Sequence, residues 1–94
     1  MIIDPEEHEL NALLARLPLV RNCRVVEIGC GDGRLTHRYA ARVGTVLAID
    51  PDEGLTAAYR ADGVEPNVDV RTTSIDRLEL RDASVDAVLF SWAL

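Results

Sequence analysis

Apolar and polar positions along the chain alternate between two periods, one of a helix and one of a buried strand. Leu10, Leu13, Leu14 and Leu17 recur at the i, i+3, i+4, i+7 spacing of a single helical face. Asp4 suits the N-cap of that helix, Pro5 its first position and Glu7 a capping box, and the run ends before Pro18. Residues 24–28, Arg-Val-Val-Glu-Ile, predict a short buried strand broken by Gly29-Cys30-Gly31-Asp32-Gly33. Leu35, Tyr39 and Val43 share a face of the next helix, which Gly44 can terminate. A second strand over 46–49 runs into Asp50-Pro51. Leu55, Ala58 and Tyr59 mark a second crossover helix closed by Gly63, and Val68 and Val70 a third strand. Residues 85–90 are almost continuously apolar, as a fourth strand covered on both faces should be.

Strands that alternate with helices at this spacing imply βαβ units around a parallel sheet, an α/β architecture of three layers. Crossovers of this kind are right-handed, and the simplest order of the four predicted strands is 3-2-1-4. A cleft then opens beside the first strand, where the winding direction reverses, at the carboxyl ends of the strands. Both Gly29 to Gly33 and Asp50 belong at that end. The 94 residues make one domain (1–94), expected to be partial and truncated after the fourth strand. On that expectation the fourth strand is an open apolar edge, a template for pairing with another chain and a candidate surface for a homo-oligomer.

The glycine loop carries the chemistry. Without Cβ atoms a backbone can pass close to a ligand, and the helix that follows offers unpaired N–H groups. A structural tight turn or an unrelated nucleotide site would look the same. Asp50 sharpens the reading: it lies 21 positions after Gly29, at the end of the next strand. A carboxylate there can accept hydrogen bonds from both hydroxyls of a ribose. It could equally cap a helix or hold the turn before Pro51, and both roles can coexist. Dinucleotide-binding proteins share the layout, but their G-x-G-x-x-G places a glycine where this chain has Arg34, and here the third glycine comes early, at Gly33. Glu27 also stands two places before Gly29.

Val25-Val26-Glu27-Ile28-Gly29-Cys30-Gly31-Asp32-Gly33 resembles motif I, E/D-x-G-x-G-x-G, of class I S-adenosylmethionine-dependent methyltransferases. Ser74-Ile75-Asp76-Arg77-Leu78, then Leu80, Asp82, Ser84 and Val85-Asp86-Ala87-Val88, resembles the family stretch D-A-E-x-L-P-F-x-D-x-S-F-D-x-V, without a gap. Ser91-Trp92-Ala93-Leu94 resembles the segment after the family's fourth strand. The pattern is similar to the small-molecule group called methyltransferase type 11, from about Leu10 to Leu94. The resemblance implies a Rossmann-like fold and S-adenosylmethionine as cofactor. Gly29, Gly31 and Gly33 would let the backbone approach its methionine and ribose portions. Glu27 would anchor the methionine amino group and Asp50 the ribose hydroxyls. The backbone N–H of Ile75 would meet the adenine ring, Ser74 its exocyclic amine, and Ser91 the methionine end. Ser74 replaces the family's usual Asp with a weaker, neutral contact, and Glu79 replaces a proline. No catalytic base is visible.

Composition narrows the partners. The net charge is −6, with arginine as the only strongly basic residue type. An acidic surface disfavours nucleic acid, which leaves a small-molecule substrate as the expected acceptor. No stretch approaches the roughly 18 apolar residues of a membrane span, and the start of the chain has no signal-peptide pattern, so a cytoplasmic location is expected. Cys23 and Cys30 lack metal-knuckle or redox spacing and read as small buried residues; no metal is expected. Asp86 reads as the start of its strand and a turn holder, Trp92 as packing, and His8 and His37 as solvated helix residues. Three functional classes follow: the cofactor half of a methyltransferase, a non-catalytic module binding an adenosyl ligand, and a NAD-binding Rossmann domain, which Arg34 and Gly33 disfavour.

Overall fold

The computed structural model describes residues 2–3, 21–74 and 85–90. The predicted helix over 5–17, the block 75–84, Ile75, Ser91 and Trp92 lie outside the described residues. Among the described residues, five strands form one parallel sheet: β1 (Ile2–Ile3), β2 (Arg24–Ile28), β3 (Thr45–Asp50), β4 (Val68–Thr72) and β5 (Ala87–Phe90). Their order is β1-β5-β2-β3-β4. The four predicted strands are β2 to β5, so the expected 3-2-1-4 arrangement is present and the winding reverses beside β2.

The expectation of an open edge on β5 is corrected. Its outer side is paired by β1, with Ile2 opposite Val88 and Ile3 opposite Leu89. Two residues of extended chain are enough to occupy the hydrogen-bonding groups that an edge strand would otherwise present. Self-association through that edge loses its rationale along these two positions.

Register fixes the site. Ile28 stands opposite Ile49 on one side and Phe90 on the other, so Gly29 and Asp50 leave the sheet at the same level. Strand alternation sends Val25, Val46, Ala48, Val70, Ala87 and Leu89 to one face, where they pack in a single cluster with Cys30, Tyr39, Ala40, Val43 and Tyr59. Both described helices therefore cover the same face, as two right-handed crossovers in the same direction require. Val26 and Ile49 are buried on the opposite face.

The first crossover is shorter than the spacing of Leu35, Tyr39 and Val43 suggests. An α-helical turn, α1 (Thr36–Tyr39), tightens into a 3-10 turn over Ala40–Arg42. Tyr39 at φ −123° leaves the helical region, and no side chain caps the N-terminus. The C-terminal end is closed from a distance. The Asn67 amide donates to the carbonyl of Ala40 at 2.7 Å and to those of Val43 and Gly44 at 3.3 Å each. The second crossover helix, α2 (Glu53–Asp62), begins at Asp52, whose carboxylate accepts from the Leu55 N–H at 3.1 Å. It stops at Gly63, φ +104°. Its buried residues are Thr56 and Tyr59: Tyr59 is as predicted, whereas Ala58 is exposed and Leu55 is 42% exposed.

Candidate functional site

The chain turns from β2 to α1 through three glycines in the left-handed region, Gly29 at φ +82°, Gly31 at +55° and Gly33 at +87°. Gly29 and Cys30 donate their N–H groups to the Ile49 carbonyl at 2.8 and 3.0 Å, which ties the loop to the end of β3. The decisive contact is next to it. The Gly31 N–H donates to Asp50 Oδ2 at 3.0 Å, and the Asp52 N–H donates to Asp50 Oδ1 at 2.8 Å. Asp50 is 7% exposed, and each carboxylate oxygen is held by one backbone donor. A carboxylate has about four acceptor positions, so capacity is left for further donors. The Thr73 N–H donates to the Asp50 carbonyl at 3.1 Å and brings the end of β4 alongside.

A cavity of about 450 Å³ opens at this end of the sheet, lined by Ile28, Gly29, Ile49, Asp50, Pro51, Thr73 and Ser74. That volume falls in the range of roughly 300–1,000 Å³ of small-ligand clefts. Of the predicted site residues, Gly29, Asp50 and Ser74 line it together.

Glu27 sits elsewhere. Its carboxylate is fully buried on the helical face, where Oε1 accepts from Thr36 Oγ1 at 2.8 Å and from the Tyr39 hydroxyl at 2.5 Å. Both partners come from α1, so Glu27 anchors that turn to β2. Burial and the adjacent Glu27 charge push the Tyr39 hydroxyl far above its usual range, which keeps it protonated and donating. Burial, followed by Glu27 and Asp50, also raises the Cys30 thiol to about 12, which keeps it neutral. Cys23 is only half-buried, a correction to its reading as a buried residue.

The glycines differ in what surrounds them. A Cβ on Gly33 would stand 2.6 to 2.8 Å from the ring of Tyr59, so this glycine admits an aromatic side chain of the protein itself. At Gly31 a Cβ would meet only Leu55 Cδ1 at an ordinary 3.7 Å, and its positive φ is the stronger constraint. Because α1 is a single turn, its macrodipole contributes little at the loop.

His37 lies on α1 and is exposed, as expected, but its ring is also held by two carboxylates. Nδ1 lies 2.8 Å from Glu65 Oε2, Nε2 lies 3.2 Å from Asp62 Oδ2, and its side chain is 33% exposed. Asp86 does hold its strand start: Oδ2 accepts from the Arg24 N–H at 2.8 Å and from Arg24 Nε at 3.3 Å. Sequence reasoning missed Thr36, Asp52 and Thr73, and read Tyr39 and Tyr59 only as helix-face residues. Asp52 carried a local signal, an acidic residue directly ahead of a helix. The others depend on contacts between distant segments.

No group of three or more metal-ligating side chains is present among the described residues. Nor is any helix among them long and apolar enough to cross a membrane.

Residues 25–94 match a family model described as a methyltransferase domain. An uncharacterised methyltransferase of Mycobacterium tuberculosis is 39% identical over 87 residues, covering 89% of this chain and 43% of that protein. Among solved structures, an S-adenosylmethionine-dependent methyltransferase from Mesorhizobium loti superposes with a TM-score of 0.68 at 31% identity, covering 87% of this chain and 38% of that one. A Haemonchus contortus phosphoethanolamine N-methyltransferase, solved with phosphoethanolamine and S-adenosylhomocysteine, gives 0.72 at 29% identity, covering 83% and 17%. The chain spans less than half the length of the relatives it matches.

Proposed function

Because this chain belongs to the methyltransferase domain family of class I S-adenosylmethionine-dependent enzymes, we propose that its 94 residues form the cofactor-holding part of a methyltransferase acting on a small molecule. The observation that carries the proposal is the bond from the Gly31 N–H to Asp50 Oδ2, beside a cavity of ligand size. One side chain is thereby held to the glycine loop while keeping acceptor capacity for two hydroxyls of a ribose. In this reading Asp50 takes those hydroxyls, Gly29 and Gly31 let the backbone approach the ligand, and Ser74 and the N–H of Ile75 receive the adenine. Ser91 is assigned to the methionine end. Gly33 and Glu27 act by holding the loop and α1 in place: the Tyr59 ring fills the space beside Gly33, and the Glu27 carboxylate is buried under Thr36 and Tyr39.

S-adenosylmethionine, when bound, supplies a methyl group on a sulfonium for in-line displacement by the acceptor. The chain's own contribution is alignment. A carboxylate fixed by two backbone donors cannot swing away, so the ribose it holds is fixed relative to the sheet. Pro51 and Ile49 supply apolar walls that exclude water from part of the cavity. The net charge of −6 favours a small-molecule acceptor over a nucleic acid. A cytoplasmic compartment belongs to the same reading, since the two cysteines have neither metal-knuckle nor redox spacing.

Parallel calorimetric titrations with S-adenosylhomocysteine, S-adenosylmethionine and NAD test the proposal. Saturable heat with both adenosyl-sulfur ligands and none with NAD is expected. Binding of NAD alone would overturn it.

A further inference from the structure

We infer that His37 is a positioning residue for the glycine loop, bracing the Tyr59 ring that stands beside Gly33 through contacts whose strength depends on whether its imidazole carries one proton or two. Its effect on ligand affinity rests on the adenosyl-ligand reading; the coupling itself rests on geometry alone.

The His37 backbone N–H donates to the Gly33 carbonyl at 2.9 Å, which places Gly33 one turn before His37. Its ring meets that of Tyr59 edge-on, with centroids 5.0 Å apart at 62°. The same Tyr59 ring occupies the space beside Gly33 that a Cβ would enter. The packing contact on Gly33 therefore leads back through Tyr59 to the imidazole. That imidazole is held in turn by Asp62 from α2 and Glu65 from the turn ahead of β4, and Glu65 also accepts from the Tyr59 hydroxyl at 2.8 Å. Tyr59, Asp62 and Glu65 are the titratable groups that contact it from those two elements, and each accepts or is neutral.

A neutral imidazole has one N–H and can donate to only one of the two carboxylates, with its other lone pair facing the second. The imidazolium donates to both. The hydrogen bond to Glu65, outweighing partial burial and joined by the charges of Glu65 and Asp62, raises His37 above its ordinary value of 6.5. Since the folded value is the higher one, the added hold on the loop is complete below that ordinary value. It is lost as pH rises through the folded value. A loop of three left-handed glycines has little preference of its own, and affinity scales with the fraction of chains whose loop is competent to bind. Protonation of His37 enlarges that fraction.

The test uses the ligand-free full chain. Amide and imidazole NMR resonances are followed from about pH 5.5 to about pH 9, a range that brackets histidine titration. The Gly33 and Gly31 amides should move with the midpoint of the His37 ring. Glu65→Gln should shift both midpoints to lower pH, and His37→Gln should abolish the response. S-adenosylhomocysteine affinity should fall about three- to tenfold across the same range, the equivalent of about one hydrogen bond. Gly33 amides indifferent to pH, or responding equally in His37→Gln, overturn the inference. Gly33 tracking His37 without any S-adenosylhomocysteine binding would uphold the coupling and contradict the adenosyl-ligand reading.

Discussion

The two ends of the sheet use polar side chains for opposite purposes. At the amino end, polar groups close the fold: Asp86 clamps the start of β5 to Arg24 of β2, and Asn67 gathers three carbonyls of the α1–β3 turn. At the carboxyl end Asp50 also bonds to backbone donors, but it faces a cavity and keeps acceptors to spare. The amino end spends its polar groups on the chain itself. The carboxyl end holds its carboxylate in place with acceptor capacity to spare. Stability and ligand affinity should therefore respond to different substitutions.

Asp50→Ala tests the contrast most severely. Removing a carboxylate that accepts charged-group hydrogen bonds, each contributing roughly 1.5–3 kcal/mol, should reduce S-adenosylhomocysteine affinity on the order of 100-fold or more by calorimetry. Gly33→Ala comes next. Its new methyl would collide with Tyr59 at a φ of +87°, so unfolding in urea should show a loss of about 3 kcal/mol. Asn67→Ala should lower stability by about 1–2 kcal/mol while leaving affinity unchanged, because its amide caps carbonyls remote from the cavity. Asp86→Asn should have the smallest effect, visible only as a flatter acid limb of the thermal-stability profile. The Arg24 N–H and guanidinium hold Asp86 below the usual carboxylate range. Its contribution is present above the ordinary carboxylate value and is lost as pH falls through the lower folded value. An affinity loss from Asn67→Ala, or an intact affinity in Asp50→Ala, would erase the distinction between the ends.

Much of this contrast can be read in the chain because it depends on local periods. Short apolar runs mark β2 and β3, and a parallel register between them places Gly29 beside Asp50. The β1 strand escapes such reading: Ile2 and Ile3 are too few to show a period, and their partner lies far along the chain. The bonds of His37 to Asp62 and Glu65 likewise arise only when α1 and α2 pack side by side. Glu27 illustrates a different limit. Its motif position suggests a ligand contact, yet strand alternation turns it under α1, where Thr36 and Tyr39 satisfy it. On α2 the predicted Tyr59 is buried, in the space that Gly33 leaves open, while Thr56 takes the place expected of Leu55 and Ala58.

The central claim is that one ligand is held between the glycine loop and Asp50. Titrating S-adenosylhomocysteine into the isotope-labelled chain and mapping amide shifts addresses it directly. The account predicts the largest changes at Gly29, Gly31, Asp52 and Thr73, with Arg24, Thr45 and Asn67 at the amino end unmoved. Shifts centred on the amino end, or a loop that stays silent at saturation, would contradict it.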